Sequence, residues 1–302
     1  MYVVKPFTWE ALWGDTRLHA YGADTSKDKV GILFTVSGIE GIDCEIENNE
    51  EKTTLMQAVN KDPHKFGLLE GEEYPLIIAF DSIGEDVSFQ IHPTDAYAQE
   101  TLGAHYGKAE AWYFIEPPTL GWAYGENVAK TKEAIEEAFE TNNFMDALGK
   151  CPAEKEDIIY IPAGTVHAVT HGSLIYEIQQ STNITYRLYD YDRVDKNGNK
   201  RPIHKEQVMA NLIPDGKVYR DHFDMEKVLP YREFDLHRTT LSGPFYNEES
   251  IAKAISVVDG ELCVEGFVVP KGHSILVMPK ESIDLEGSAE CIVASANAYW
   301  RK

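Results

Sequence analysis

Short runs of β-branched and aromatic residues, each cut off by Gly, Pro, Asn or Asp, recur along nearly the whole chain and restrict it to a fold built mainly of strands. VGILFTVSG, YPLIIAFDSIG, DVSFQIHP, EAWYFIEP, DIIYIPAG and SLIYEIQQS are the clearest of them. Runs this short and this frequent suit a sandwich or small barrel. Helical spacing is confined to Thr53–Lys61, Asp95–Leu102 and Asn127–Thr141, the last with Val128, Ile135, Ala138 and Phe139 on one stripe. These helices decorate a β scaffold.

From Arg193 to Arg232 the text turns polar and turn-rich, which reads as a segment crossing between two β units. The strand texture resumes at Phe234. We therefore expect an N-terminal unit over residues 1–232, carrying the helices and the crossing segment, and a small C-terminal β unit over 233–302. Ile158–Pro162 in the first and Ser274–Pro279 in the second are both apolar strands ending in Pro, which suggests a duplicated jelly-roll unit.

With 302 residues and 43% apolar side chains the chain can bury a core. The opening MYVVKPFTWEALWGD has no basic stretch followed by an apolar run, and no segment approaches the ~20 apolar residues of a membrane span, so a soluble protein is expected. Cys44, Cys151, Cys263 and Cys291 are far apart and read as separate thiols in a reducing cytoplasm. A net charge of −22 argues against nucleic acid and anionic lipid as partners. It also repels phosphate esters, so any such substrate must be held by local cations within a Debye length of roughly 8–10 Å.

Three segments carry metal-binding residue types: Gln90-Ile91-His92-Pro93, Gly107-Lys108-Ala109-Glu110 and Pro162-Ala163-Gly164-Thr165-Val166-His167. Residues two apart on a strand face the same way, so Gln90 and His92 can point at one ion, with Ser88 on that face and Phe89 and Ile91 on the other. Glu110 opens an apolar run, at a strand start where a carboxylate reaches the rim of a barrel. His167 follows a Pro-x-Gly turn that can aim a ligand from a barrel edge. An amide oxygen, two imidazoles and a carboxylate form an O/N set suited to one divalent metal such as zinc. Any one of these residues alone is more often a packed histidine or a solvated edge charge. His171, four residues past His167, could border the pocket but reads better as a loop histidine; His19, His64, His105, His204, His222, His237 and His273 show no usable spacing, and the acidic face Glu133, Glu136, Glu137 and Glu140 reads as solvated.

SFQIHPTDAYA, YGKAEAWYFIE, IIYIPAGTVHAVTHG and LIYEIQQSTNITYRLYDYDR together resemble the class I mannose-6-phosphate isomerases, in particular their short bacterial form with cupin-like domains. The resemblance implies a mainly β fold of two cupin-like jelly-roll units, and one zinc ion held by Gln90, His92, Glu110 and His167. It also implies active-site roles for Lys108 and Arg187, and interconversion of mannose 6-phosphate and fructose 6-phosphate through a cis-enediol. Arg187 could bind the phosphate or a developing oxyanion, and Lys108 could do likewise or move a proton. The proton must pass through a carboxylate, amine or imidazole in reach, for which Glu177 on the run Leu174–Gln179 is the candidate.

The chain departs from that family at Ala79, where a lysine is usual, and at Thr182-Asn183, where Ser-Asp is usual. A Gly-Glu near the start is replaced by Gly31-Ile32. Three alternatives stay open beside the isomerase: a zinc-containing sugar or sugar-phosphate-binding paralogue without turnover, an isomerase of a free sugar, and a redox cupin. The last would want more than one His in its first strand motif.

Overall fold

The computed structural model describes residues 1–127, 131–144, 148–195 and 197–301. Grouped by contact, the chain forms two units whose residues are not consecutive. One comprises Met1–Ala11, Thr16–Phe80 and Phe223–Lys302; the other comprises Leu12–Asp15 and Asp81–His222.

The first unit is built on a nine-stranded sheet. Its path runs Val228–Pro230, Phe234–Tyr246, Ser282–Ala296, Lys253–Val264, Ser274–Val277, Tyr2–Lys5, Glu45–Glu47 and Lys52–Thr54, with Phe267–Pro270 paired beside Lys253–Val264. Ile255, Val257, Leu262, Ile275, Val277 and Cys291 share one apolar core, and the residues between them on the central strands, Ala254, Ser256, Ser274 and Leu276, are buried too. Glu265 and Gly266 both have positive φ, 51° and 86°, and close the tight hairpin from Val264 to Phe267.

The chain passes into the second unit within strand β1 (Leu76–Ser82), between Phe80 and Asp81. There follow β2 (Phe89–Ile91), β3 (Glu110–Glu116), β4 (Asp157–Ile161), β5 (Leu174–Gln180), β6 (Tyr186–Tyr189) and β7 (Tyr219–His222). β3 is flanked by β4 and β5, and β7 pairs with the outer side of β4, all antiparallel. β2 and β6 form a separate antiparallel pair. Phe89, Ile91, Val166, Ala168, Val208 and Leu212 share this unit's apolar core.

The fold is mainly β, as the punctuated runs imply. Two of the three expected helices are shorter than their sequence periods. Residues 52–54 pair as a strand, and the helix starts at Leu55, capped by the Thr54 hydroxyl, which accepts from the Gln57 N–H. The stretch from Asp95 is a helical turn followed by a wider π turn, Ala98–Leu102. The expected helix over 127–141 begins only at Lys132, behind the Thr131 cap, because Asn127 ends a strand with Trp122; Val128 lies outside the described residues. The stretch 193–232 is more than a crossing. It holds a helix, Lys205–Asn211, whose Val208 is buried, and strand β7, whose four residues are all exposed and so show no alternation to read. All four cysteines are free, and among the described residues no helix is long and apolar enough to cross a membrane.

Candidate metal centre and active site

The short strand β2 sets the site. Its Phe89 and Ile91 are fully buried in the core, which turns Gln90 to the opposite face. Gln90 and His167 exchange two backbone hydrogen bonds of 3.0 Å each, so they sit directly opposite. On the other side Gln90 faces Arg187 of β6. Directly opposed residues present side chains to one face, so His167, Gln90 and Arg187 form a row.

Two glycines bring the remaining segments in. A Cβ on Gly107 would lie 2.3 Å from the carbonyl oxygen of Pro93, so only glycine lets the backbone cross there. That crossing is fastened by the Lys108 N–H donating to the same carbonyl at 3.0 Å. Gly164 turns at φ +79°, and its N–H donates to the His92 carbonyl at 3.1 Å. The glycines of G-K-x-E and P-A-G thus have steric reasons.

His92, Glu110 and His167 offer ligand atoms that all lie within 4.8 Å of one another, and all three residues are buried. Glu110 Oε2 is 3.0 Å from His92 Nε2 and Oε1 is 3.3 Å from His167 Nε2. Each imidazole is oriented from behind: Nδ1 of His92 donates to the Ile184 carbonyl at 2.8 Å, and Nδ1 of His167 to the Thr165 carbonyl at 2.9 Å. With the ring proton committed to Nδ1, each Nε2 presents a bare lone pair to the centre. The Gln90 amide lies 3.3 Å from His167 Nε2 and can turn its oxygen inward. Glu110 opens β3 as its sequence suggests, but it is wholly buried and not on a rim.

The electrostatics match. Burial lowers the pKa of both imidazoles, that of His167 to about 4, leaving them neutral near pH 7. Burial alone would raise the Glu110 carboxyl, yet Lys108, His92 and His167 together hold it well below the ordinary range. The Lys108 ammonium, itself buried, sits 3.2 Å from Glu110 Oε2. His92 Nε2 and both Glu110 oxygens have no hydrogen-bond partner. Lone pairs that converge in a buried space with only the Lys108 ammonium beside them are unfavourable unless a further cation joins them. The donor set fits a divalent metal.

Arg187 is half-buried and its Nε has no partner. The nearby Asp190 carboxylate is already taken up by Arg193 at 2.5 Å and by Arg201 at 2.5 and 2.7 Å. Burial, then the charge of Arg201, lowers the guanidinium pKa. Glu177 on β5 is only partly exposed, and its side chain hydrogen-bonds that of Asp81 on β1. Asp81 is the residue that motif reading missed; its one signal is a carboxylate ending a run, Leu76–Ser82, that is otherwise buried and apolar up to that point. His171 is held by Asp86, Nδ1 to Oδ1 at 2.7 Å, and His204 accepts from the Arg187 N–H at 3.0 Å. Ala79 is buried and Asn183 is exposed.

No family model matches the chain. Mannose-6-phosphate isomerase ManA of Bacillus subtilis is 33% identical over 307 aligned residues, covering 96% of this chain and 97% of that protein. The mannose-6-phosphate isomerase of Streptococcus mutans is 28% identical over 302, covering 95% of each. Among solved structures, mannose 6-phosphate isomerase from Bacillus subtilis superposes with a TM-score of 0.83 at 25% identity, over 97% of this chain and 99% of that one. A putative mannosephosphate isomerase from Archaeoglobus fulgidus shares the fold, with a TM-score of 0.77 at 16% identity. On full-length identity of this order, with the fold and the His–Glu–His cluster in place, the chain belongs to the mannose-6-phosphate isomerase family.

Proposed function

We propose that this chain interconverts mannose 6-phosphate and fructose 6-phosphate, with one zinc ion held by Gln90, His92, Glu110 and His167, and with Lys108, Arg187 and Glu177 as the working side chains. The observation that carries the reading is the convergence of His92, Glu110 and His167 in a buried cluster within a chain of this family. Bound there, the ion would act as a Lewis acid toward the sugar oxygens that gain charge as a proton moves between C1 and C2. The protein's own groups do the rest. Arg187 stands in the row with Gln90 and His167, and its unpartnered Nε suits it to hold an anionic group of the substrate. Lys108 places a cation beside Glu110, where it offsets local negative charge against the acidic whole. Glu177 is the carboxyl that exchanges a proton with the substrate oxygens as they gain charge.

A coupled assay of ketose formation from mannose 6-phosphate and from free mannose tests this, run beside a chelator-treated sample and a measurement of bound metal. Turnover of the phosphate ester that disappears with the chelator and returns with zinc supports the isomerase. Zinc bound one to one with no turnover of either sugar would replace it with a binding paralogue, and turnover of free mannose alone would remove the phosphate from the substrate.

A further inference from the structure

Every residue of β1 is buried, and among Leu76, Ile77, Ile78, Ala79 and Phe80 the chain then places Asp81, 5% exposed. An ionised carboxylate there is costly unless it is compensated. Its Oδ1 has no hydrogen-bond partner, and its side chain is hydrogen-bonded to that of Glu177. A carboxylate has no hydrogen to give, so two carboxyl groups joined by a hydrogen bond hold a proton between them. We assign the shared proton to Glu177, which burial and the neighbouring carboxylates Asp81 and Glu110 all push upward, with Asp81 accepting it. The other charges facing the pair are Glu110 on β3, which favours keeping the proton, and Lys108 just before it, which opposes this.

We propose that Asp81 is a positioning residue of the isomerisation: by accepting the Glu177 O–H it keeps that carboxyl protonated and fixed in orientation, so that Glu177 enters the reaction as a general acid. This rests on the function proposed above. In the step itself the Glu177 O–H bond breaks as an O–H bond forms on the substrate carbonyl oxygen, and the return transfer from the neighbouring hydroxyl restores the acid; the carbon-bound proton travels separately, on a base other than Glu177. No proton is consumed over a cycle. The pair holds one proton between its two carboxyls at the start and at the end of each cycle, as paired carboxyls do elsewhere. The strand that resemblance expects to carry a lysine at position 79 thus carries an alanine there and, two residues on, an acid.

The test uses the full chain loaded with zinc, as wild type, Asp81→Asn and Asp81→Leu. Asn is nearly isosteric, which guards against loss of folding in the Leu variant. Asp81→Asn is expected to lower kcat about tenfold, short of the ~10²–10⁴-fold for losing a general acid outright, with KM within about twofold. It should also move the high-pH fall of kcat/KM to lower pH, because Glu177 gives up its proton more readily without the anion. An infrared carbonyl band of a buried, protonated carboxyl should be present in wild type and lost or displaced in both variants. A wild-type pH profile in Asp81→Asn with kcat unchanged overturns the positioning role. A missing infrared band in an active wild type overturns the shared proton while leaving the isomerase standing, whereas an inactive wild type overturns the proposed reaction and Asp81's part in it together.

Discussion

Glu110 carries the most conflicting demands of any residue in the site. It is fully buried, negatively charged, within 3.0 to 3.3 Å of two imidazoles and a lysine, and it has no proton donor beyond the ammonium. Replacing it with Gln keeps the shape and removes the charge. Glu110→Gln should therefore lose bound metal on dialysis against a weak chelator and lose at least the ~10–100-fold in affinity that even an outer hydrogen-bond partner is worth. It should also destabilise the metal-free fold by about 3–5 kcal/mol, because Lys108 is left as a buried cation without its partner. Metal analysis and urea titration read the two effects separately. Retention of stoichiometric metal by the variant would remove Glu110 from the ligand set.

At the level of elements, the site depends on two close backbone approaches, at Gly107 and Gly164, and the contrast between Gly107 and Gly103 isolates the first of them. Gly103 has φ +67° and nothing within 4 Å of a would-be Cβ, so Gly103→Ala meets only backbone strain, about 1–2 kcal/mol. At Gly107 the obstacle is the Pro93 carbonyl at 2.3 Å, which must move and take the 3.0 Å bond to Lys108 with it. Gly107→Ala should cost about 1–3 kcal/mol and in addition weaken metal binding; Gly103→Ala should leave metal binding alone. Equal metal affinity in the two variants would argue against the crossing as the device that places Lys108 and Glu110. The same elements show what a linear reading can reach. Gln90 and His92 could be placed on one face because β2 has period two, and His167 because a Pro-x-Gly turn precedes it. That Arg187 lies opposite Gln90 needs the register of β2 against β6, which no local pattern encodes. The Asp81–Glu177 pair was invisible for the same reason, since each looks like a strand-edge charge until the two strands are set side by side. β7 escaped notice because all four of its residues are exposed, so the usual alternation is absent.

For the whole molecule, acid and base act on different groups of the second unit. His92 and His167 have lowered folded values, so the unfolded chain binds protons first as the pH drops below about 6.5, and stability falls from there toward about 4. Glu110 adds to this at lower pH, its contribution being present above 4.5 and lost as the pH falls. Asp81 and Glu177 work the other way: their folded values are raised, so their contribution is complete below 3.8 and 4.5 and is lost as the pH rises. In metal-free protein the two trends offset each other. Glu177→Gln removes the Glu177 share of the second trend, so its Tm should decline between pH 6.5 and 4 more steeply than that of wild type in parallel thermal scans; parallel curves would mean that Glu177 holds no extra proton. The polar text ends near 232, while the contact grouping changes at 222 and also recruits the start of the chain. It does so because Tyr2–Lys5 is a middle strand of the nine-stranded sheet, flanked by Glu45–Glu47 on one side and Ser274–Val277 on the other. During synthesis the early neighbour arrives at once and the late one does not. At typical elongation rates the nascent chain must carry one edge of that strand unpaired for on the order of 10–60 s, so chaperone capture at the ribosome falls in this interval.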